Sequence, residues 1–275
     1  MSEKAASAAK WRDLGIRTIS AAFLIPVVLV DVWLGGMWFT LLVAVLAVIM
    51  AHEWVNIVHG RNSAQFALHA AAGLFGTFLP HSSGLIETLA ALAVLLVVSL
   101  ILSFAQHRPR SLWTLCGVPY IGLPAMALVT LRGEPQTGLI AIVWLLAVVW
   151  CADIAAYFFG RIIGGPKLWP AVSPNKTWAG LAGAIIGGLV AGALAAWGLS
   201  SGGIAALALT GALLGLFEQG GDLFESAVKR HHGVKDSGDL IPGHGGLLDR
   251  VDGLVAAALI LAAIVLISGN GLFVR

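Results

Sequence analysis

Apolar residues run through this chain in long, nearly unbroken stretches separated by short polar or turn-forming segments. A membrane-spanning helix needs about 20 mostly apolar residues. Nine stretches approach that length, near residues 15–35, 37–58, 65–80, 84–105, 112–131, 137–160, 177–198, 203–230 and 252–270. The third is short enough to be tilted or partly re-entrant, and the eighth is long enough to project beyond the bilayer. No internal repeat or low-complexity linker divides them. The pattern therefore predicts an all-α fold: one polytopic, membrane-embedded helical bundle of about nine transmembrane helices occupying residues 1–275 as a single domain.

Composition agrees with that pattern. The chain is 59% hydrophobic and only 11% charged, against roughly 25% charged residues in soluble domains; an ordinary water-soluble enzyme is excluded. The basic N-terminal segment precedes an apolar run without a convincing small-residue cleavage site, so it reads as a retained first helix. Positive charge sets the orientation. With the N-terminus inside and nine spans, the inner segments hold Lys4, Lys10, Arg12, Arg17, Arg61, Arg108, Arg110, Arg161, Lys167, Lys176, Lys229, Arg230, Lys235 and Arg250, and only Arg132 and Arg275 fall outside. The N-terminus is thus expected in the cytoplasm. Cys116 and Cys151 lie inside apolar runs without ligand-type spacing and read as small core residues. Trp11, Trp33, Trp38, Trp54, Trp113 and Trp169 sit near predicted boundaries, as an aromatic belt requires.

Chemistry concentrates between Glu218 and Gly253, on the predicted cytoplasmic side. Glu218, Asp222, Glu225, Asp236, Asp239, Asp249 and Asp252 are half of the chain's fourteen acidic residues, and Lys229, Arg230, Lys235 and Arg250 lie among them. Ionisable groups against apolar segments are costly unless paired or functional. On a helix, Asp222, Ser226 and Lys229 fall at i, i+4 and i+7, on one face. The run Pro242-Gly243-His244-Gly245-Gly246 must then break the helix before Asp249, Arg250 and Asp252 open the last apolar stretch. Asp222 and Asp249 on facing elements, with hard oxygen donors and basic neighbours, suit a Mg²⁺ ion that holds phosphates.

The series Ser226-x-x-Lys229-Arg230, Lys235-Asp236-x-Gly238 and Pro242-x-His244-Gly245-Gly246-x-x-Asp249-Arg250-x-Asp252 resembles the signature of the phosphatidate cytidylyltransferases, or CDP-diacylglycerol synthases, at every signature position. The resemblance implies a reaction in which CTP and phosphatidic acid give CDP-diacylglycerol and pyrophosphate with Mg²⁺, a monovalent cation being a candidate second ion. It places the protein in a bacterial inner membrane with its site facing the cytoplasm, and calls for no nucleic acid. Asp222 and Asp249 are then the expected principal metal ligands, with Asp252 and Asp153 in support. Ser226 and Lys229 join the catalytic set, and Arg230, Lys235, Asp236, His244 and Arg250 are expected to bind substrate.

A second polar segment separates predicted helices six and seven. Asp153 lies within an apolar run, which makes it a functional candidate by cost alone. Ser173-Pro174-Asn175-Lys176-Thr177 directly precedes helix seven, where a cap residue, free amides and Lys176 can gather around a phosphate; an ordinary capped start with a positive-inside lysine is the local alternative. The resemblance favours phosphate, since related enzymes carry a similar Ser-Pro-x-Lys-Thr-x-x-Gly element, matched here from Ser173 to Gly180. Gly183, Gly187, Gly188 and Gly192 have spacings that allow close helix approach, either within one subunit or in a homodimer. His52-Glu53-Trp54 reads first as an interface anchor, with contact to the site as the alternative. His231, His232 and His244 fit no tetrahedral zinc spacing.

No Walker-type or dinucleotide-binding glycine loop is present, so a nucleotide must occupy a cavity among the helices, open to the cytoplasm. Rival readings are a transporter, which would more often show paired broken helices in two similar halves, and a CTP-dependent polyprenol or dolichol kinase, which would release CDP instead of pyrophosphate.

Overall fold

A computed structural model describes residues 22, 24–106, 113–133, 135–198, 203–240 and 245–268. The described residues form nine helices: α1 (Leu24–Leu34), α2 (Gly36–Val58), α3 (Ser63–Ser82), α4 (Leu85–Ala105), α5 (Trp113–Arg132), α6 (Pro135–Ile162), α7 (Trp178–Gly198), α8 (Ile204–His231) and α9 (Leu248–Ser268). Seven of them, all but α1 and α3, are long and apolar enough to cross a membrane. Nine helices thus stand among the described residues where nine spans are expected, seven of them of spanning length, and α9 starts four residues earlier than the hydropathy pattern suggests. The all-α expectation needs one amendment: strands β1 (Lys167–Trp169) and β2 (Ser173–Thr177) form an antiparallel hairpin between α6 and α7. Gly164 and Gly165 adopt positive φ after α6, turning the chain into this hairpin.

The helices pack as two groups bridged by the last one. Helices α2 and α4 each pack on α3 and α5, which also pack on each other, α7 lies between α6 and α8, and α9 packs on both α8 and α5. The core is continuous across the bridge, running from Trp54 and Ile121 through Leu145 and Leu207 to Leu248 and Leu261. One polar cluster inside the bundle is satisfied between α3 and α4. Buried Gln65 donates to Ser99 O (2.9 Å) and Ser103 Oγ (2.8 Å), and accepts from Ser99 Oγ (2.7 Å). Helix α4 thus turns Thr88, Ser99 and Ser103 inward and exposes Ile86, Val94 and Ile101, the inverse of a helix facing water and the expected orientation for one facing lipid.

Both glycine spacings of α7 are used within the chain. A Cβ at Gly183 or Gly187 would meet the backbone and side chains of Cys151, Ala155 and Phe159 on α6. On another face, Gly188 abuts the carbonyl of Gly211, and Gly192 that of Leu207, on α8. Small residues here let backbones touch, which locks α6, α7 and α8 into the unit that carries most of the polar chemistry. Arg132, one of the two cations outside the positive-inside pattern, donates to the carbonyls of Val32 (2.9 Å) and Trp33 (3.4 Å) at the end of α1, where a positive charge complements the helix dipole.

Candidate active site

Helices α6 and α8 have 28 residues each, about 42 Å of helix against a hydrocarbon thickness near 30 Å. Each can cross the apolar layer and still present a polar turn at one end. On α8 that end carries Glu218, Gln219, Asp222, Glu225, Ser226 and Lys229, and on α6 it carries Asp153, Tyr157 and Arg161. The β-hairpin inserts Lys176 between them. Its ammonium lies 2.7 Å from Asp222 Oδ2 and donates to Gln219 Oε1 at 2.8 Å. Gln219 in turn donates to Glu218 Oε2 at 2.9 Å, and Glu218 lies beside Asp153. Ser226 Oγ donates to Asp222 Oδ1 at 3.2 Å, one helical turn away.

Three of the residues singled out from sequence, Asp153, Lys176 and Asp222, line one cavity of about 600 Å³ together with Tyr157, Arg161 and Gln219. Asp249 does not line it. Its Oδ1 receives Lys229 Nζ at 2.5 Å, and its Oδ2 accepts from Ser237 N (2.9 Å), Ser237 Oγ (3.0 Å) and Gly246 N (3.0 Å). Lys229 also lies 2.5 Å from Glu225, so one ammonium is held between two carboxylates from α8 and α9. With three donors already on Oδ2, only the oxygen shared with Lys229 has room for a further cation. Asp252 sits where the backbones of α8 and α9 come closest: a Cβ at Gly221 would meet the Asp252 carbonyl and Ala256, and one at Gly253 would meet Glu218.

The main contributor that sequence reasoning undervalued is Glu53, 4% exposed on α2. It accepts from Leu247 N and Leu248 N, both at 2.8 Å, and from Ser237 Oγ at 2.9 Å. An acidic side chain from a remote helix thereby caps the first turn of α9, satisfying amides that have no intrahelical partner and meeting the positive end of the dipole. Gly246 must be a glycine for this closure, because a Cβ there would overlap Ser237 Oγ and Glu53 Oε2. Gly245, with φ of 84°, supplies the left-handed turn before it. The available signal was the one that flagged Asp153: a carboxylate inside an otherwise apolar run.

Other expected residues are placed differently. Ser173 pairs with Trp169 at the far end of β2 and caps nothing; Thr177 does that work, its Oγ1 accepting from Gly180 N at 3.0 Å. Arg230, Lys235, Asp236 and Arg250 are exposed, with Arg230 donating to the Val234 carbonyl at 3.0 Å. His244 lies outside the described residues.

Among the described residues no three His, Cys, Asp or Glu side chains form a ready-made metal cage. The donor set nevertheless fits Mg²⁺, which favours hard oxygens, keeps several waters, and commonly takes one or two carboxylates plus substrate phosphates. Asp153 and Asp222 in one open cavity meet that requirement.

Comparison with known proteins agrees with this chemistry. Residues 15–268 match the Cytidylyltransferase family. The chain belongs to that family. Among its relatives is the phosphatidate cytidylyltransferase of Brucella suis biovar 1 (strain 1330), 43% identical over 255 residues, covering 90% of this chain and 92% of the relative. The phosphatidate cytidylyltransferase of Staphylococcus haemolyticus (strain JCSC1435) is 34% identical over 245 residues, covering 86% and 93%. In this family member the Lys176–Asp222 pair is half-buried and the Lys229–Asp249 pair nearly enclosed, both set among apolar membrane-length helices.

Proposed function

We infer that this integral membrane protein transfers the cytidylyl group of CTP to phosphatidic acid, giving CDP-diacylglycerol and pyrophosphate in phospholipid biosynthesis, and that the Asp222 cavity is where it does so. The observation that carries the assignment is the meeting of Asp153, Lys176 and Asp222 around one cavity at the polar ends of apolar helices. Two polyanions must meet there, and a metal-binding pair of carboxylates beside a movable ammonium offsets their repulsion.

A phosphate oxygen of phosphatidic acid attacks the α-phosphorus of CTP. The new oxygen–phosphorus bond forms as the bond to the β-phosphate oxygen breaks, and the electron pair leaves with pyrophosphate. The attacking oxygen is already ionised at neutral pH, so no strong general base is needed. Lys176 exchanges Asp222 for a substrate phosphate, while Gln219 keeps its ammonium aimed at the cavity. Ser226 orients the Asp222 carboxylate. Lys229, held by Glu225 and Asp249, supplies a second fixed positive charge. Exposed Arg230, Lys235 and Arg250 are assigned to the incoming phosphates, as is His244, with Asp236 orienting a lysine. Asp222 and Asp153 would hold Mg²⁺, with Asp252 in support; when bound, the ion neutralises phosphate charge at the reacting centre. Asp249 reaches a cation only through the oxygen that it shares with Lys229, and a monovalent second ion would compete with that ammonium.

We further assign all nine helices as spans of one domain, with the N-terminus and the site in the cytoplasm of a bacterial inner membrane. Support comes from the fourteen inward-assigned basic residues, from the bacterial relatives and from the bridging position of α9. A homodimer, if formed, uses a surface other than the glycine faces of α7, which are occupied within the chain. The test is transfer from CTP labelled at the α-phosphate into phosphatidic acid by purified protein in detergent. Label enters the lipid only with Mg²⁺ present. Labelled CDP with unlabelled lipid would instead establish a CTP-dependent kinase.

A further inference from the structure

A second cavity, of about 580 Å³, lies at the corner where α2 gives way to α3, and shares no lining residue with the Asp222 cavity. Its wall includes His52, Asn56, Arg61, Phe66 and Asp239, and its floor is the Glu53–Ser237 contact that anchors Asp249. An adjoining depression of about 350 Å³ repeats His52, Asn56, Arg61 and Phe66 in its lining. The volume is in the range of small-molecule sites, roughly 300–1,000 Å³.

Arg61 is the feature that the fold does not explain. Among the described residues it is the one non-glycine with positive φ, at 62°. That conformation costs an ordinary side chain about 1–2 kcal/mol. The residue that tolerates it best, Asn62, stands next in the chain but is committed to capping α3, accepting from Ala64 N and Gln65 N at 3.1 Å each. Arg61 forms no ion pair with a described residue. A strained arginine, exposed over a cavity and without an acidic partner among the described residues, points to a ligand.

The rest of the lining says what that is. Glu53 and Asp239 both face this cavity, and a polyphosphate would be repelled by them. A neutral, flat, polar ring would not. Phe66 stands edge-on to His52, with ring centroids 5.9 Å apart at 89°, and the Asn56 amide lies within 3.3 Å of the His52 ring. The cavity therefore combines an aromatic wall, a fork of donors on Arg61, and acceptors on Asn56 and Asp239. A cytosine ring presents the complement: acceptors at O2 and N3, and a donor at its amino group. Uracil reverses the last two, placing an N–H against the arginine and a carbonyl against the carboxylate.

We propose that the α2–α3 corner is the pocket that reads the cytosine base of CTP, with Arg61 donating to O2 and N3 and with Asn56 and Asp239 accepting from the amino group. The proposal rests on the cytidylyltransferase reading above. From the pocket floor, Ser237 leads through Asp249 to Lys229, which lies seven residues, about 10 Å of helix, from Asp222.

The test is steady-state kinetics of the full-length protein in mixed micelles of phosphatidic acid, with CTP and UTP, for the wild type, Arg61→Asn and Asn56→Ala. Asparagine tolerates the backbone of position 61 and lacks the fork, so folding is preserved and an unchanged melting temperature verifies it. Arg61→Asn is expected to raise the KM for CTP about tenfold or more and to cut the preference for CTP over UTP by a similar factor, in line with loss of one bidentate base contact. The KM for phosphatidic acid stays within about twofold of wild type. An unchanged CTP KM and CTP/UTP ratio would overturn the pocket. So would a rise confined to the KM for phosphatidic acid, which would make the corner a lipid-headgroup site. Failure of the wild type to transfer cytidylyl at all overturns the functional reading itself, a result distinguishable from either variant outcome.

Discussion

Replacing Glu53 with glutamine should disable the protein without touching any residue assigned to metal or phosphate. The carboxylate accepts from Leu247 N, Leu248 N and Ser237 Oγ while almost wholly buried. Glutamine keeps one acceptor oxygen and turns the other into an NH₂ group. The Ser237 hydroxyl can rotate to accept from that group, but a backbone N–H of α9 then faces a donor. A hydrogen bond to a charged group is worth about 1.5–3 kcal/mol, and a stranded buried donor costs about 1–3 kcal/mol. Because the two figures overlap, the net loss is about 2–4 kcal/mol, a roughly 30- to 700-fold shift towards an open junction. That junction carries Asp249, which in turn fixes Lys229. Glu53→Gln should therefore lower both the apparent melting temperature in detergent, by about 5–10 °C, and the turnover, by at least about tenfold. Fluorescence-monitored melting and α-phosphate label transfer measure the two effects. Normal values for both would refute the capping role. Lost turnover with an unchanged melting temperature would mean that Glu53 acts on substrate rather than as the cap of α9.

Asp222→Asn should lower turnover by about 10²–10³-fold, with little change in melting temperature because the side chain lines an open cavity; near-normal turnover would remove the metal assignment. Asp249→Asn, by contrast, weakens four contacts at once and should reduce stability as well as turnover, so comparing the melting curves of the two variants separates their roles. Gly188→Ala drives a methyl group into the Gly211 carbonyl and should destabilise the protein by about 1–3 kcal/mol. Gly220→Ala on α8, where an added Cβ meets nothing within 4 Å, is the control and should melt at or above wild type.

The sequence alone determined the helices, because burial in lipid demands long apolar segments whose backbone bonds are local. It also determined the alignment of Asp222, Ser226 and Lys229, since helical periodicity places them on one face whatever surrounds the helix. It exposed the concentration of charge in α8 and the approach to α9 for the same reason: an ionisable group beside an apolar run is conspicuous by its cost. Which charges meet was a matter for the tertiary structure. Lys176 reaches Asp222 across 46 positions only because a hairpin, running into the Thr177-capped start of α7, inserts it between α6 and α8. Glu53 reaches Leu248 across 195 positions because packing of α9 on α5 and α8 brings its start up to α2. The glycines of α7 advertise close approach in either setting, and only the folded chain shows that α6 and α8 are the surfaces they approach. Local patterns constrain one element at a time, whereas an ion pair or a remote cap depends on where two elements end up, which the packing of the whole bundle decides.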